Sequence, residues 1–394
     1  MTNKVKKILL VFVFFSLLFL VGCKTTNDIY NKTYDVNINI DNINEAFVPA
    51  SEMGKEATIG VSLYTRGNII RSWTLAVTGS GVVYKGEAVL KDGSRISMEE
   101  SKTHNDVDYY EYYALTNAHV VTTNANSADI KIYLSNIDTL VSCELLGKNG
   151  YEDLAVVKFK ASIFIRPLEF SSDAPKAGEI VLAIGNPLGY EYSGTVTMGI
   201  ISNNNRYLKV SRDLDGNGRD DWEGTVEVIQ HDASINAGNS GGALVNLKGE
   251  IVGINAMKIK NESENVEGIG FSIPVSEINK VLEDMENGVL PKPNLLNKIV
   301  VYSVNDLLNR DILRLDRLPD VDLSNLGYTN GAYIYMNSLG EYGLKTGDVV
   351  LKMNGEDIFT AGMLEAKLLS YKEDKIVWTI YREDKLQDVE FSFK

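Results

Sequence analysis

The octapeptide INAGNSGG, residues 235–242, sets one serine among three glycines and two asparagines. It lies between an alternating run (TVEVIQ, 225–230) and an apolar one (ALVNLKGEIVGINA, 243–256). Two readings fit. Gly and Asn tolerate left-handed backbone, so the stretch reads as a hairpin loop. The same glycines would also clear space around a nucleophilic Ser240 and turn backbone N–H groups toward it. A serine hydroxyl is a poor nucleophile at neutral pH and needs an adjacent base, most often histidine. The chain has three histidines. His104 lies in a charged stretch, DGSRISMEESKTHNDVDYYE, that reads as a mobile loop; His231 ends a strand beside Asp232. His119 sits in ALTNAHVV, where an apolar strand runs into a turn, a place where a lone histidine is more often structural than catalytic. An imidazole base in turn needs a carboxylate to orient it. Asp153, in NGYEDLAVVKF, immediately precedes a strand apolar enough to be buried on both faces, where an imidazole partner would offset its desolvation. Glu152 is its nearest rival, whereas Asp129, Asp138 and Asp173 flank a strand or begin a turn and have easier surface roles.

Short strands must position these residues. From about residue 58, TIGVSLYT, TLAVTGSGVVY, DIKIYL, LAVVKF, EIVLAIG, GTVTMGIIS, TVEVIQ, ALVNL, EIVGINAM and GIGFSI follow one another with little helix. That many strands at near-regular spacing predicts an all-β barrel or sandwich. PVSEINKVLEDMENG (274–288) predicts a helix, and PKPNLLNK (291–298) a boundary before a small α+β module. Residues 24–55, rich in Asn, Asp and Thr, read as a flexible tether.

Composition narrows the classes. A hydrophobic fraction of 44% with 23% charged residues describes an ordinary globular chain. A net charge of −14 with no basic stripe argues against nucleic acid as a partner. At the N-terminus, MTNKVKK precedes the apolar ILLVFVFFSLLFLV and then LVGC, the pattern of an export signal. The Leu-Val-Gly-Cys ending resembles the bacterial lipoprotein lipobox, which predicts a signal peptide over 1–22, acylation of Cys23 and anchorage in the cell envelope. With only Cys23 and Cys143 in the chain, a lipidated Cys23 leaves no intramolecular disulfide partner, and Cys143 reads as a small core residue.

The order His119, Asp153, Ser240 is the order of triads in chymotrypsin-type enzymes. GSGVVY, LTNAHVV, DLAVVKF, AIGNPLG, TVTMGIIS, NAGNSGGAL, GEIVGINA and GIGFSIP together resemble the HtrA (DegP-like) family of trypsin-fold serine proteases, in the family's order, over nearly all of 56–394. The resemblance implies a mainly β protein: a trypsin/chymotrypsin-like double β-barrel over 56–290, then a small α+β PDZ-like domain over 296–394. It makes His119 the general base, Asp153 its orienter and Ser240 the nucleophile, with an oxyanion hole from the N–H groups of Gly238 and Ser240. Ile235, Gly238 and Asn239 would contact substrate, with small aliphatic residues preferred in the pocket. It also implies an ATP-independent endopeptidase, often trimeric, acting on unfolded or damaged exported proteins and requiring no cofactor. The alternative from another class is a non-proteolytic chaperone or scaffold lipoprotein.

GLKTGDVVLKMNGEDI is similar to the PDZ domain of these proteases, but 300–330 lacks the Gly and aliphatic pattern of a carboxylate-binding loop. Residues 84–112 and 203–224 read as insertions lengthening loops before His119 and Ser240. Within the second, Asp213, Asp215, Asn217, the Arg219 carbonyl and Asp221 fall at the alternate positions of an EF-hand-type loop and would suit Ca²⁺. Position 12 is Gly224 rather than Glu, and the same residues read equally as a solvated Asp/Gly/Asn turn.

Overall fold

Alternating apolar residues dominate the chain from Thr58 onward, and each alternation closes into sheet. The computed structural model describes residues 40–66, 72–186, 189–258, 268–290, 299–310, 326–337, 340–369 and 371–393, with isolated positions 315, 318, 319, 321 and 323. The expected signal peptide, Cys23 and the first part of the expected tether lie outside the described residues.

The first barrel comprises β1 (Thr58–Arg66), β2 (Trp73–Leu90), β3 (Arg95–Ser97), β4 (Val107–Thr116), β5 (Ala128–Leu134), β6 (Thr139–Asn149) and β7 (Leu154–Ala161). Its strand order is β1-β5-β6-β7-β4-β2-β3, and β2 pairs back with β1, so the sheet returns to its start. Val61, Val83, Tyr112, Ile132, Val157 and Phe159 fill it.

The second comprises β8 (Ile180–Gly185), β9 (Thr195–Arg212), β10 (Trp222–His231), β11 (Ala243–Val245), β12 (Ile251–Lys258) and β13 (Gly270–Pro274), closed in the order β10-β13-β12-β11-β8-β9. Val181, Ile201, Ile229 and Leu244 fill this one. Between the barrels a shared core joins Val82, Leu115 and Leu154 to Leu182, Ile184 and Ile254. Both barrels are therefore held in one register, which the site below requires.

Three expectations are corrected. The tether expected over 23–55 contains α1 (Ile40–Ala57), whose Ala50, Gly54 and Ala57 are buried. The Asn-rich flank and Pro49 hide a helical stripe of Phe47, Ala50, Met53 and Ala57, which packs on the shared core. The insertion 84–112 is not a loop. It extends β2 and β4 into a hairpin paired from Val82↔Leu115 to Leu90↔Val107, with β3 and the one-turn α2 (Met98–Ser101) at its end. Its buried Glu111 is paired from within the hairpin by Arg95 at 2.9 Å and from β7 by Lys158 at 2.8 Å. The insertion 203–224 is likewise a hairpin of β9 and β10, paired from His231↔Ile201 to Trp222↔Arg212 and leaving 213–221 as its connection. Alternation in these arms (YLKVSR, EYYALT) is strand-like, but charged neighbours mask it.

His119 begins the second position of a one-turn helix, α3 (Ala118–Val121). After the barrels, α4 (Val275–Glu286) lays Ile278, Val281 and Met285 on the shared core. A third sheet follows: β14 (Val300–Ser303), β15 (Ala332–Met336), β16 (Val349–Met353), β17 (Glu356–Asp357), β18 (Lys375–Arg382) and β19 (Lys385–Ser392), with α5 (Val304–Leu308) and α6 (Ala361–Leu369). It has its own core around Trp378, Ile334, Val350 and Ile380. It is not detached: Thr225 Oγ1 on β10 donates to Glu365 on α6, and Leu369 packs with Trp222 and Leu208.

Ala50 has 0% exposure, so a charge there has no solvent to reach. Ala50→Glu is expected to lower the unfolding free energy by on the order of 2–4 kcal/mol in urea titrations. An unchanged midpoint would return α1 to the status of a tether.

Candidate active site

The turn before β7 carries Asp153 with φ +58°, a left-handed conformation uncommon outside glycine. Asn149 Oδ1 holds that turn by accepting from Tyr151 N (3.1 Å) and Glu152 N (3.2 Å). Asn117, just before α3, donates its Nδ2 to the Asp153 carbonyl at 2.9 Å. The two turns are thus tied before any charge is considered. The Asp153 carboxylate is buried, and it accepts from His119 N at 2.9 Å through Oδ1. His119 Nδ1 lies 3.0 Å from Oδ1 and 2.9 Å from Oδ2. Arg212 Nη1 donates to Oδ2 at 3.2 Å. Burial pushes the carboxyl pKa up, but the imidazole, the guanidinium and the backbone donor outweigh it and hold it below the usual range.

The second barrel supplies the serine. Ser240 opens on the same cleft as His119 and Asp153, a hollow of about 650 Å³ also lined by Arg212, Ile235 and Gly238. Its Oγ donates to Ala256 O at 3.2 Å. The loop is anchored from both barrels: Ser80 N donates to Ser240 O at 2.8 Å, and Ser80 Oγ to Gly238 O at 2.6 Å. Gly241 N donates to Asn255 O at 2.8 Å. A side chain at Gly241 (φ +86°) would put its Cβ 2.1 Å from Ser80 O, so this position demands glycine twice over. Gly238 has φ +99° and sits at the third position of a turn closed by Asn239 N and Asn236 O. Among the described residues, neither Gly238 N nor Ser240 N donates to a protein acceptor. Two amides are thereby left for an incoming oxygen.

Asn239 is corrected: it is buried against Gly185 and does not line the cleft. Ile235 does line it. Glu152, the rival carboxylate, lies near Glu277, Lys280 and Glu227, its pKa pushed up to about 8 by burial and by Glu277. His104 sits in the turn after α2, its N–H on Ser101 O, and does not line the cleft. Cys143 Sγ donates to Ile130 O at 3.4 Å against the first barrel, burial pushing its thiol up to about 12.

The expected calcium loop takes another form. Asp213 spends its carboxylate on the amides of Gly216, Asn217 and Gly218, and Asp221 Oδ1 accepts from Leu214 N. Asp215 accepts from Asn217, and Asn217 Oδ1 from Arg219 N. Among the described residues, no group of three or more His, Cys, Asp or Glu is gathered to hold a metal. The carboxylates of Asp213, Asp215 and Asp221 accept from the loop's own backbone donors and so fix its turns.

Sequence reasoning missed Arg212, Ser80 and Asn255. Ser80 stood inside GSGVVY, but nothing local tells which barrel it reaches.

Residues 79–254 match the family model of the trypsin-like peptidase domain. The chain is 33% identical over 322 residues to "Serine protease HtrA-like" of Staphylococcus aureus (strain MRSA252), covering 80% of this chain and 37% of that protein. To the protein of that name in Staphylococcus epidermidis (strain RP62A) it is 34% identical over 322 residues, covering 80% of this chain and 49% of that protein. The chain thus spans less than half the length of these curated relatives.

His231, the remaining histidine, is buried with its Nε2 3.0 Å from Ser272 Oγ, which donates to Asn255 Oδ1 at 3.1 Å. The hydroxyl's single proton is thus committed, so Nε2 carries the imidazole hydrogen. Burial lowers the His231 pKa from 6.5 to about 4. Unfolded chain therefore binds the extra proton first, and stability present above about pH 6.5 falls as pH drops toward 4. In denaturant titrations His231→Gln is expected to remove on the order of 3 kcal/mol of the loss seen between pH 7 and 4. An equal acid loss in both proteins would contradict the assignment.

Proposed function

We propose that the chain, which carries a trypsin-like peptidase domain and is similar to HtrA-like serine proteases, is a serine endopeptidase of that kind working through an acyl-enzyme. One observation carries this reading: His119, fixed by the buried Asp153, shares a cleft with Ser240 and with two amides that have no acceptor among the described residues. Asp153 accepts the hydrogen bond of His119 Nδ1–H, which leaves Nε2 to accept the Ser240 proton once Oγ turns from Ala256 O and attacks the scissile carbonyl. The oxyanion that forms is received by Gly238 N and Ser240 N. Such a donor is worth about 3 kcal/mol of barrier, because it is aimed before the charge develops. The imidazolium then returns its proton to the leaving amine, and water repeats the sequence on the acyl-serine.

Ile235 forms the apolar wall of the cleft, which favours small aliphatic side chains over charged ones. We assign the substrates to unfolded or damaged exported proteins, since an endopeptidase that needs extended backbone acts where chains are open. The LVGC pattern supports acylation at Cys23 and an envelope location. The third sheet, with β14 at its edge and α6 beside it, is suited to a PDZ-like role in which an extended peptide adds to β14.

Casein cleavage by the full chain tests the central reading. Ser240→Ala and His119→Ala are each expected to lose at least about 10³-fold in kcat/KM with thermal unfolding nearly unchanged. Asp153→Asn should lose about 10⁴-fold, since an amide favours the wrong imidazole tautomer. Cleavage retained in either alanine variant would mean that other residues do the chemistry, and a wild-type chain that cleaves nothing would leave a client-holding role.

A further inference from the structure

Arg212 ends β9, in a hairpin arm distant in sequence from both His119 and Asp153, yet its side chain is only 12% exposed and points at the triad carboxylate. Its Nη1 touches Asp153 Oδ2, the same oxygen that faces His119 Nδ1. We propose that Arg212 is a positioning residue of the proteolytic reaction: it holds the outer oxygen of Asp153 toward His119 and, as a fixed cation sharing that carboxylate, disfavours the imidazolium. The inference rests on reading His119 as the base.

The hairpin is built to keep the guanidinium there. Asp221 N donates to Arg212 O at 3.0 Å, and Trp222, across from Arg212 in register, stacks edge-on against Tyr151 two residues before Asp153. Leu214 lies against Gly150, where an added Cβ would come within 2.8 Å of it. Gly216 approaches the turn just after His119 so closely that a Cβ there would lie 2.5 Å from Thr123 Cα, and Asn124 N donates to Gly216 O at 3.3 Å. One hairpin tip thus covers the turn bearing each triad partner, with Asp213 locking the tip through its three amides. An arginine serving only as surface charge would need none of this.

The chemical consequence follows from charge. Catalysis needs a neutral imidazole that becomes cationic only in the transition state. Asp153 alone would favour the cation in the resting enzyme, and a second cation on the same carboxylate opposes that. Other charged groups face this corner. Lys148, from β6, donates to Thr122 Oγ1 at 2.7 Å and lies near Asp213 and Asp215 on the tip. Glu152 adjoins Asp153 in the chain and is itself near Arg212. All four stay in place when Arg212 alone is replaced, so the change in His119 reports on the guanidinium.

Removing that cation should let His119 hold its proton at higher pH. The decisive readout needs no cleavage: histidine-selective ¹³C labelling and NMR titration of the His119 ring in the full chain carrying Ser240→Ala. Arg212→Gln is expected to raise the His119 midpoint by about one pH unit, and Arg212→Lys to leave it within about 0.3. In the chain with Ser240 intact, the acid limb of kcat/KM should move the same way in Arg212→Gln. If Arg212→Gln fails to fold, Arg212→Met, which keeps the aliphatic stem, carries the same expectation. An unchanged or lowered midpoint in the neutral variant would overturn the proposal, even if its activity falls. A wild-type chain inactive on casein would count against the protease reading, while the NMR titration would still decide the role of Arg212.

Discussion

A carboxylate out of water is unstable unless donors replace its hydration, and Asp153 is such a carboxylate. Its donors come from two separate places: the α3 turn through His119 N and Nδ1, and the β9–β10 hairpin through Arg212. The carbonyl of the same residue is held by Asn117. Removing any of these leaves a buried charge undersatisfied, so the local fold and the orientation of the imidazole are the same requirement. The left-handed backbone at Asp153 is what lets one residue face the α3 turn with both its carbonyl and its carboxylate.

The Ser240 loop depends on a second constraint, the close approach of the barrels. Ser80, on β2 of the first barrel, holds the carbonyls of Ser240 and Gly238 in the second, while Asn186 N donates to the Ser80 hydroxyl at 2.8 Å. Thr116 Oγ1 donates to the Ser80 carbonyl at 2.6 Å, which ties this buttress to the strand that leads to His119. Glycine at 241 is needed for that approach, and glycine at 238 for the turn that leaves the two amides without acceptors among the described residues. The glycines of INAGNSGG form the turn and, in the proposed mechanism, also free the amides of an oxyanion hole. The turn and the site are one arrangement.

Much of this was legible in the sequence because it depends on local pattern. Strands such as LAVVKF and EIVLAIG are buried on nearly every residue, and a sequence reader sees that directly. His119, Asp153 and Ser240 could be narrowed by scarcity, with three histidines to choose from. What was missed is long-range or masked. Arg212 lies 59 residues from Asp153, and within YLKVSRDLDGNG it is one more charge among several. The contact between Ser80 and Gly238 spans 158 residues. The helix Ile40–Ala57 was hidden by its Asn-rich start and by Pro49, and its stripe of small residues carries little hydrophobic signal until the surface it packs on is known. Asp213 and its neighbours have calcium-loop spacing, but the same spacing suits side chains that cap their own backbone amides.

The proposed function depends above all on activation of Ser240 by the His119–Asp153 pair. Fluorophosphonate labelling followed by peptide mapping tests it most directly, because the reagent reports the reactive hydroxyl without needing a known substrate. One adduct per chain is expected, on Ser240, formed in the wild type and absent in His119→Ala. No adduct, or one on another residue, would contradict it.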